Sequence, residues 1–90
     1  MKIKAIIFPP LRDIIGSKYL GLNIQQYNIK GLIEDLTKSY PAIKQELYNK
    51  DGSLAYQVWL NGKPIARSKG LDTPLKEGDE AAFLMALSGG

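Results

Sequence analysis

Ninety residues with 44% hydrophobic and 23% charged content describe one ordinary folded domain, long enough to bury a core without covalent staples. The chain contains no cysteine and no histidine, which excludes disulfides, thiolate metal sites, cysteine nucleophiles and the commonest neutral-pH general base. The formal charge of +3 is spread over lysines with acids interleaved, and no basic stripe carries stacking aromatics, so no nucleic-acid partner is expected.

The opening run from Met1 to Phe8 is too short and too alternating for a signal peptide, and Pro9-Pro10 cuts it off. No apolar run approaches membrane-spanning length, so a cytoplasmic protein is expected. Lys2 to Phe8 predicts a strand with Ile3, Ala5 and Ile7 on one face and the less polar Ile6 and Phe8 on the other. Leu11 to Ile15, stopped by Gly16, reads as a short helical turn. Tyr19 to Ile24 alternates again and predicts a second strand closing a wide hairpin with the first.

Asn28 is the expected N-cap of the main helix, which runs from about residue 29 or 30 to Tyr40 with Leu32, Ile33, Leu36 and Tyr40 on its apolar side. Gly31 inside that helix reads as a local cost of roughly 1 kcal/mol against alanine. Pro41 ends this helix and starts a shorter one from Ala42 to Leu47, with Ile43 and Leu47 inward. Asn49 to Ser53 is a loop and the expected site of mobility. Tyr56 to Leu60 is rich in strand formers, and Asn61-Gly62 is a strong hairpin signal leading to a short return strand, Lys63 to Ala66. Pro64 places that return strand at a sheet edge. Two turns, Leu71 to Leu75 and Lys76 to Asp79, precede a last strand from Glu80 to Met85.

Strands at both chain ends are best buried as central neighbours, which makes their pairing parallel. The expectation is an α+β fold of the β-grasp, ubiquitin-like kind over residues 1–90: a mixed sheet, one main helix on one face, and a protruding tail at 87–90. That tail, Leu87-Ser88-Gly89-Gly90, ends in a glycine pair that packs nothing and is as slim as a peptide can be. Such an end can thread a narrow channel and present its carboxylate beyond it. The plainer reading is a frayed terminus.

The segment from Phe8 to Gly16, the Asn61-Gly62 hairpin, the stretch from Leu71 to Glu80 and the Ser88-Gly89-Gly90 end together resemble the MoaD family over essentially the whole chain. These are ubiquitin-like sulfur carriers and small subunits of molybdopterin synthase. The short helix after the first strand favours this resemblance over ThiS-type thiazole carriers, which are usually shorter. Where the family often has a proline pair before its last four residues, this chain has Met85 and Ala86, which removes a stiffening element.

The resemblance implies that a MoeB-like, ubiquitin-activating-type adenylyltransferase uses ATP to adenylate the Gly90 carboxylate. A sulfur donor then converts it to a thiocarboxylate, which explains how a chain without cysteine could carry sulfur. The tail, with Gly89 and Gly90 giving close passage and Leu87 and Ser88 setting its register, would enter a MoaE-like large synthase subunit and give sulfur to a pterin precursor of the molybdenum or tungsten cofactor. The chain itself is expected to bind no cofactor or metal and to be inactive alone. Phe8 and Leu84, with Ile6 and Ala82 nearby, are the expected partner interface, on the sheet face opposite the helix. The same activated end would serve a protein modifier joined through Gly90 to target lysines, and a β-grasp adaptor with incidental glycines is a third reading. Trp59 is expected to be a packing residue, Lys63, Arg67 and Lys69 a solvated edge, and Asp72 and Asp79 turn-formers.

Overall fold

The computed structural model describes residues 2–65 and 69–85. The expected strand end at Ala66, Arg67 of the basic edge and the tail residues Leu87, Ser88, Gly89 and Gly90 lie outside the described residues. Strand β1 spans Lys2–Ile7, and its alternation buries Ile3, Ala5 and Ile7 almost completely. Phe8, expected as the last strand residue, instead stands at the junction. Its carbonyl accepts the Arg12 N–H at 3.1 Å and so joins the strand to helix α1, Leu11–Ile15. Gly16 ends α1 at φ 84, in the left-handed region, with its N–H on the Arg12 carbonyl at 2.7 Å.

Strand β2, Tyr19–Asn23, returns antiparallel to β1. Helix α2 spans Ile29–Ser39 and is capped as expected: Asn28 Oδ1 accepts the Gly31 N–H at 2.8 Å. Its buried stripe is Ile29, Leu32, Ile33 and Leu36, with Tyr40 half-buried just beyond. Pro41–Ile43 forms a 3-10 turn leading into α3, Lys44–Leu47, and Ile43 and Leu47 are both fully buried. The loop that follows is stitched by Asn49 and Ser53, and the exposed Asp51 carboxyl lies below its ordinary range because the Ser53 hydroxyl and N–H donate to it.

Strand β3, Tyr56–Leu60, turns at Asn61 (φ 51) and Gly62 (φ 84) into β4, Lys63–Pro64. Positive φ at both turn residues matches the twist of the flanking strands, which is why asparagine and glycine stand there. Strand β5, Glu80–Met85, completes a sheet of order β2-β1-β5-β3-β4. Strands β1 and β5 pair parallel at its centre, while the other neighbours are antiparallel. This is the β-grasp arrangement. Pro64 lies at the sheet edge, where its missing N–H costs no ladder bond.

The core lies on one side of the sheet, between α2 and the inward residues Ile3, Ala5, Ile7, Val58, Ala81 and Phe83. Each large side chain buried there contributes about 1.5–3 kcal/mol of transfer free energy. Leu75 anchors the segment before β5 onto this core, and the Leu75 N–H and Thr73 carbonyl bond to Tyr27 and Ile29 at the start of α2.

Gly31 needs a correction. A Cβ at this position would collide with the carbonyl oxygen and Cβ of Gln26, so glycine is required by close approach and is not a tolerated helix defect. Gly31→Ala is therefore expected to destabilise the fold by about 1–3 kcal/mol, the usual range for overpacking, overriding the roughly 1 kcal/mol of propensity that alanine would add. Urea unfolding of the two proteins checks the sign.

Candidate functional site

Strand β5 delivers the chain end. It runs parallel to β1, so its last described residue, Met85, lies at the same end of the sheet as Phe8 and beside its register partner Tyr56. Met85 is half exposed at 50%.

The face opposite the helix is built by alternation. Because Ile7, Phe83 and Val58 point into the core, Ile6, Ala82, Leu84 and Trp59 point away from it. Register then places Tyr19 beside Ile6, Ile6 beside Ala82, Ala82 beside Trp59 and Trp59 beside Pro64. One apolar row therefore crosses all five strands. Leu84 stands one step nearer the exit, paired with Gln57, and Phe8 follows the Ile7–Phe83 pair, next in line to Leu84. Both are half-buried.

Trp59 does not join the helix-side core, contrary to the expectation of ordinary packing. It is half-buried on the outer row, and its indole Nε1–H donates to Gln57 Oε1 at 3.2 Å. The signal was present in the sequence, since an inward Val58 turns its neighbour outward, but the row itself needs cross-strand register. At the β2 end the row is bounded by cations: Lys4 Nζ lies 4.6 Å and Lys18 Nζ 5.4 Å from the Tyr19 ring centre. Lys4 also approaches Glu80 at 3.8 Å, an exposed pair of little energetic weight.

Asp79 and Tyr56 have their polar atoms engaged in structural hydrogen bonds. Asp79, only 5% exposed, accepts the Lys76 N–H and the Asn61 side-chain N–H, both at 2.9 Å, and so closes the turn before β5. Asp72 ends a 3-10 turn, Gly70–Asp72. No group of three or more potential metal ligands occurs among the described residues, and none of their helices is long and apolar enough to cross a membrane. Tyr56 is buried at the exit end, and its hydroxyl donates to Glu46 Oε1 at 3.2 Å, pinning α3 to β3. Burial first, then the negative charge of Glu46 and this hydrogen bond, push its pKa up to about 12.

With this geometry the comparisons with known proteins take on meaning. The ThiS family model matches residues 5–90, and the chain belongs to that family of ubiquitin-like sulfur carriers. No curated protein matches the sequence. The small archaeal modifier protein 1 of Methanosarcina acetivorans has the same fold at TM-score 0.79 and 28% identity, covering 99% of this chain and 96% of its own. A Pyrococcus furiosus protein described as molybdopterin converting factor, subunit 1, matches at TM-score 0.76 and 22% identity, over 97% and 99% of the two chains. The BexX/CysO complex of Amycolatopsis orientalis contains a chain matching at TM-score 0.76 and 24% identity, over 98% and 99%.

Tyr56 yields a pH test. Its folded pKa is raised above the ordinary value of 10.0, so its stabilising contribution is complete below pH 10 and is lost as pH rises towards 12. Wild-type stability should fall across that window more steeply than that of Tyr56→Phe, measured by urea midpoints at matched pH.

Proposed function

We propose that the chain is a sulfur carrier whose Gly90 carboxylate is adenylated by a MoeB-like enzyme at the expense of ATP, converted to a thiocarboxylate, and delivered into a MoaE-like large subunit for molybdopterin synthesis. The observation that carries this reading is that the family match runs through residue 90 and so includes the glycine pair. A carboxylate resists substitution because attack must expel oxide, while an acyl-adenylate releases AMP. Activation therefore belongs to a partner, as does the rest of the chemistry, since this chain has no histidine or cysteine to contribute. Leu87, Ser88 and Gly89 lead the reactive carbonyl into the partner's channel.

The surface that docks those partners, in this reading, is the apolar row with Phe8 and Leu84 at its exit side. An apolar strip on a sheet face without a covering helix is the kind of patch that marks a protein interface. Trp59 is its largest side chain, and aromatic anchors dominate interface energetics. The likeness to the Methanosarcina modifier protein favours a second reading, conjugation of Gly90 to target lysines, which would use the same activated end and the same face.

Intact-mass analysis of the protein purified from its own cell separates them. The carrier reading expects a fraction with one oxygen replaced by sulfur. The modifier reading expects larger conjugates that vanish when Gly89-Gly90 is deleted. If neither species forms and the deletion leaves cofactor-dependent enzymes unaffected, both readings are wrong. For the docking face, Trp59→Ala and Leu84→Ala should each weaken binding to the activating enzyme by about tenfold or more, a loss of the size seen at interface anchors, with unchanged circular dichroism. Titration calorimetry measures it.

A further inference from the structure

We propose that Asn61 is a latent deamidation site, held shut by its contacts with Asp79 and Glu80 and opened when the Asn61-Gly62 turn leaves the start of β5. Asn61 precedes a glycine, so no side chain hinders approach of the Gly62 backbone nitrogen to the Asn61 side-chain carbonyl carbon. Attack forms a C–N bond to Cγ and breaks the bond from Cγ to Nδ2, and ammonia leaves with the proton from the Gly62 nitrogen. Water then opens the cyclic imide at either ring C–N bond, giving aspartate or isoaspartate. The balance is amide plus water to carboxylate plus ammonium, with no change of oxidation state.

The folded turn opposes this reaction at both atoms of the amide. Asn61 Nδ2 donates to Asp79 Oδ1 at 2.9 Å, and Asn61 Oδ1 accepts the Glu80 N–H at 2.9 Å. Held at both ends, the amide is not free to swing towards Gly62. Asp79 is itself fixed, more than nine-tenths buried, with its other carboxylate oxygen bonded to the Lys76 N–H. The protection lasts only while Asn61 stays on the start of β5, where its own backbone N–H also donates to the Glu80 carbonyl at 2.8 Å. The turn that carries it is flanked by an edge strand: among the described residues β4 meets β3 at Trp59–Pro64 and Leu60–Lys63, with the Ile65 N–H on the Val58 carbonyl at 3.1 Å beyond them, and edge elements open more readily than central ones.

Reaction would be irreversible in structure as well as chemistry. An aspartate at position 61 would have no side-chain N–H to donate to Asp79 Oδ1, so the amide clamp could not re-form. The Pro64 end of the outer apolar row would then lose its support beside Trp59.

The test follows the full-length protein at neutral pH by intact mass and by peptide mapping for aspartate and isoaspartate at position 61. Folded wild type should deamidate at least about tenfold more slowly than the same chain in urea, the least protection expected of a closed hairpin. Equal rates would overturn the proposal. Asp79→Asn, checked for native circular dichroism, should react faster than wild type, and an unchanged rate in a folded variant would also overturn it. If that variant does not fold, wild type in sub-denaturing urea decides: the deamidation rate should rise in step with hydrogen exchange at the Glu80 amide. Accelerated exchange with constant deamidation would refute the gating.

Discussion

The parallel pairing of β1 with β5 is the constraint from which the rest of the architecture follows. Two parallel neighbours cannot be joined by a tight turn, so the chain between them must cross over one face of the sheet, and α2 makes that crossing. Because both strands are central, each alternate residue has a definite side. Ala5, Ile7, Ala81 and Phe83 meet the helix, while Ile6, Ala82 and Leu84 face outward. A slip of one residue in this register would exchange the two sets. The same pairing also brings Leu84 and Met85 to the end of the sheet where Phe8 stands.

Much of this was legible because local patterns and global fold agree. Alternation in β1, the Asn28 cap, the inward Ile43 and Leu47, the Asn61-Gly62 turn and the edge proline each indicated one structure, and each is found there. What failed were the features that depend on contacts between segments. Gly31 reads as a defect by helix propensity alone, because nothing local says that Gln26 folds back against it. Phe8 reads as strand by alternation, but its carbonyl is taken by Arg12 to begin α1. Trp59 reads as ordinary packing beside Val58 and Leu60, and only the inward Val58 shows that its side is the outer one.

Asn61 shows how one residue can satisfy local and long-range demands at once. Its left-handed backbone serves the turn, and its side chain reaches Asp79 eighteen positions further on. Propensity explains the first role and is silent on the second. The Asp79 carboxylate is thereby committed at both oxygens, to Asn61 and to the Lys76 N–H, which accounts for a buried acid without assigning it to catalysis.

The division between the two sheet faces bears on how such a chain can act at all. A domain of this size has little core to spare, and here the large buried side chains gather on the helix side. The outer row is half-buried at Ile6, Ala82 and Trp59, exposed at Tyr19 and Pro64, and lies apart from that core, so its residues are less constrained by folding than their inward neighbours. In the proposed reading this separation lets a partner's surface be matched on one face without disturbing the stability supplied by the other. In that same proposed reading reactivity is segregated too: a body without histidine or cysteine would contribute position, and the chain end the carbonyl. A catalytic group on the body would need a cleft to exclude water. A carbonyl on a slim tail can instead use the cleft of whichever enzyme receives it.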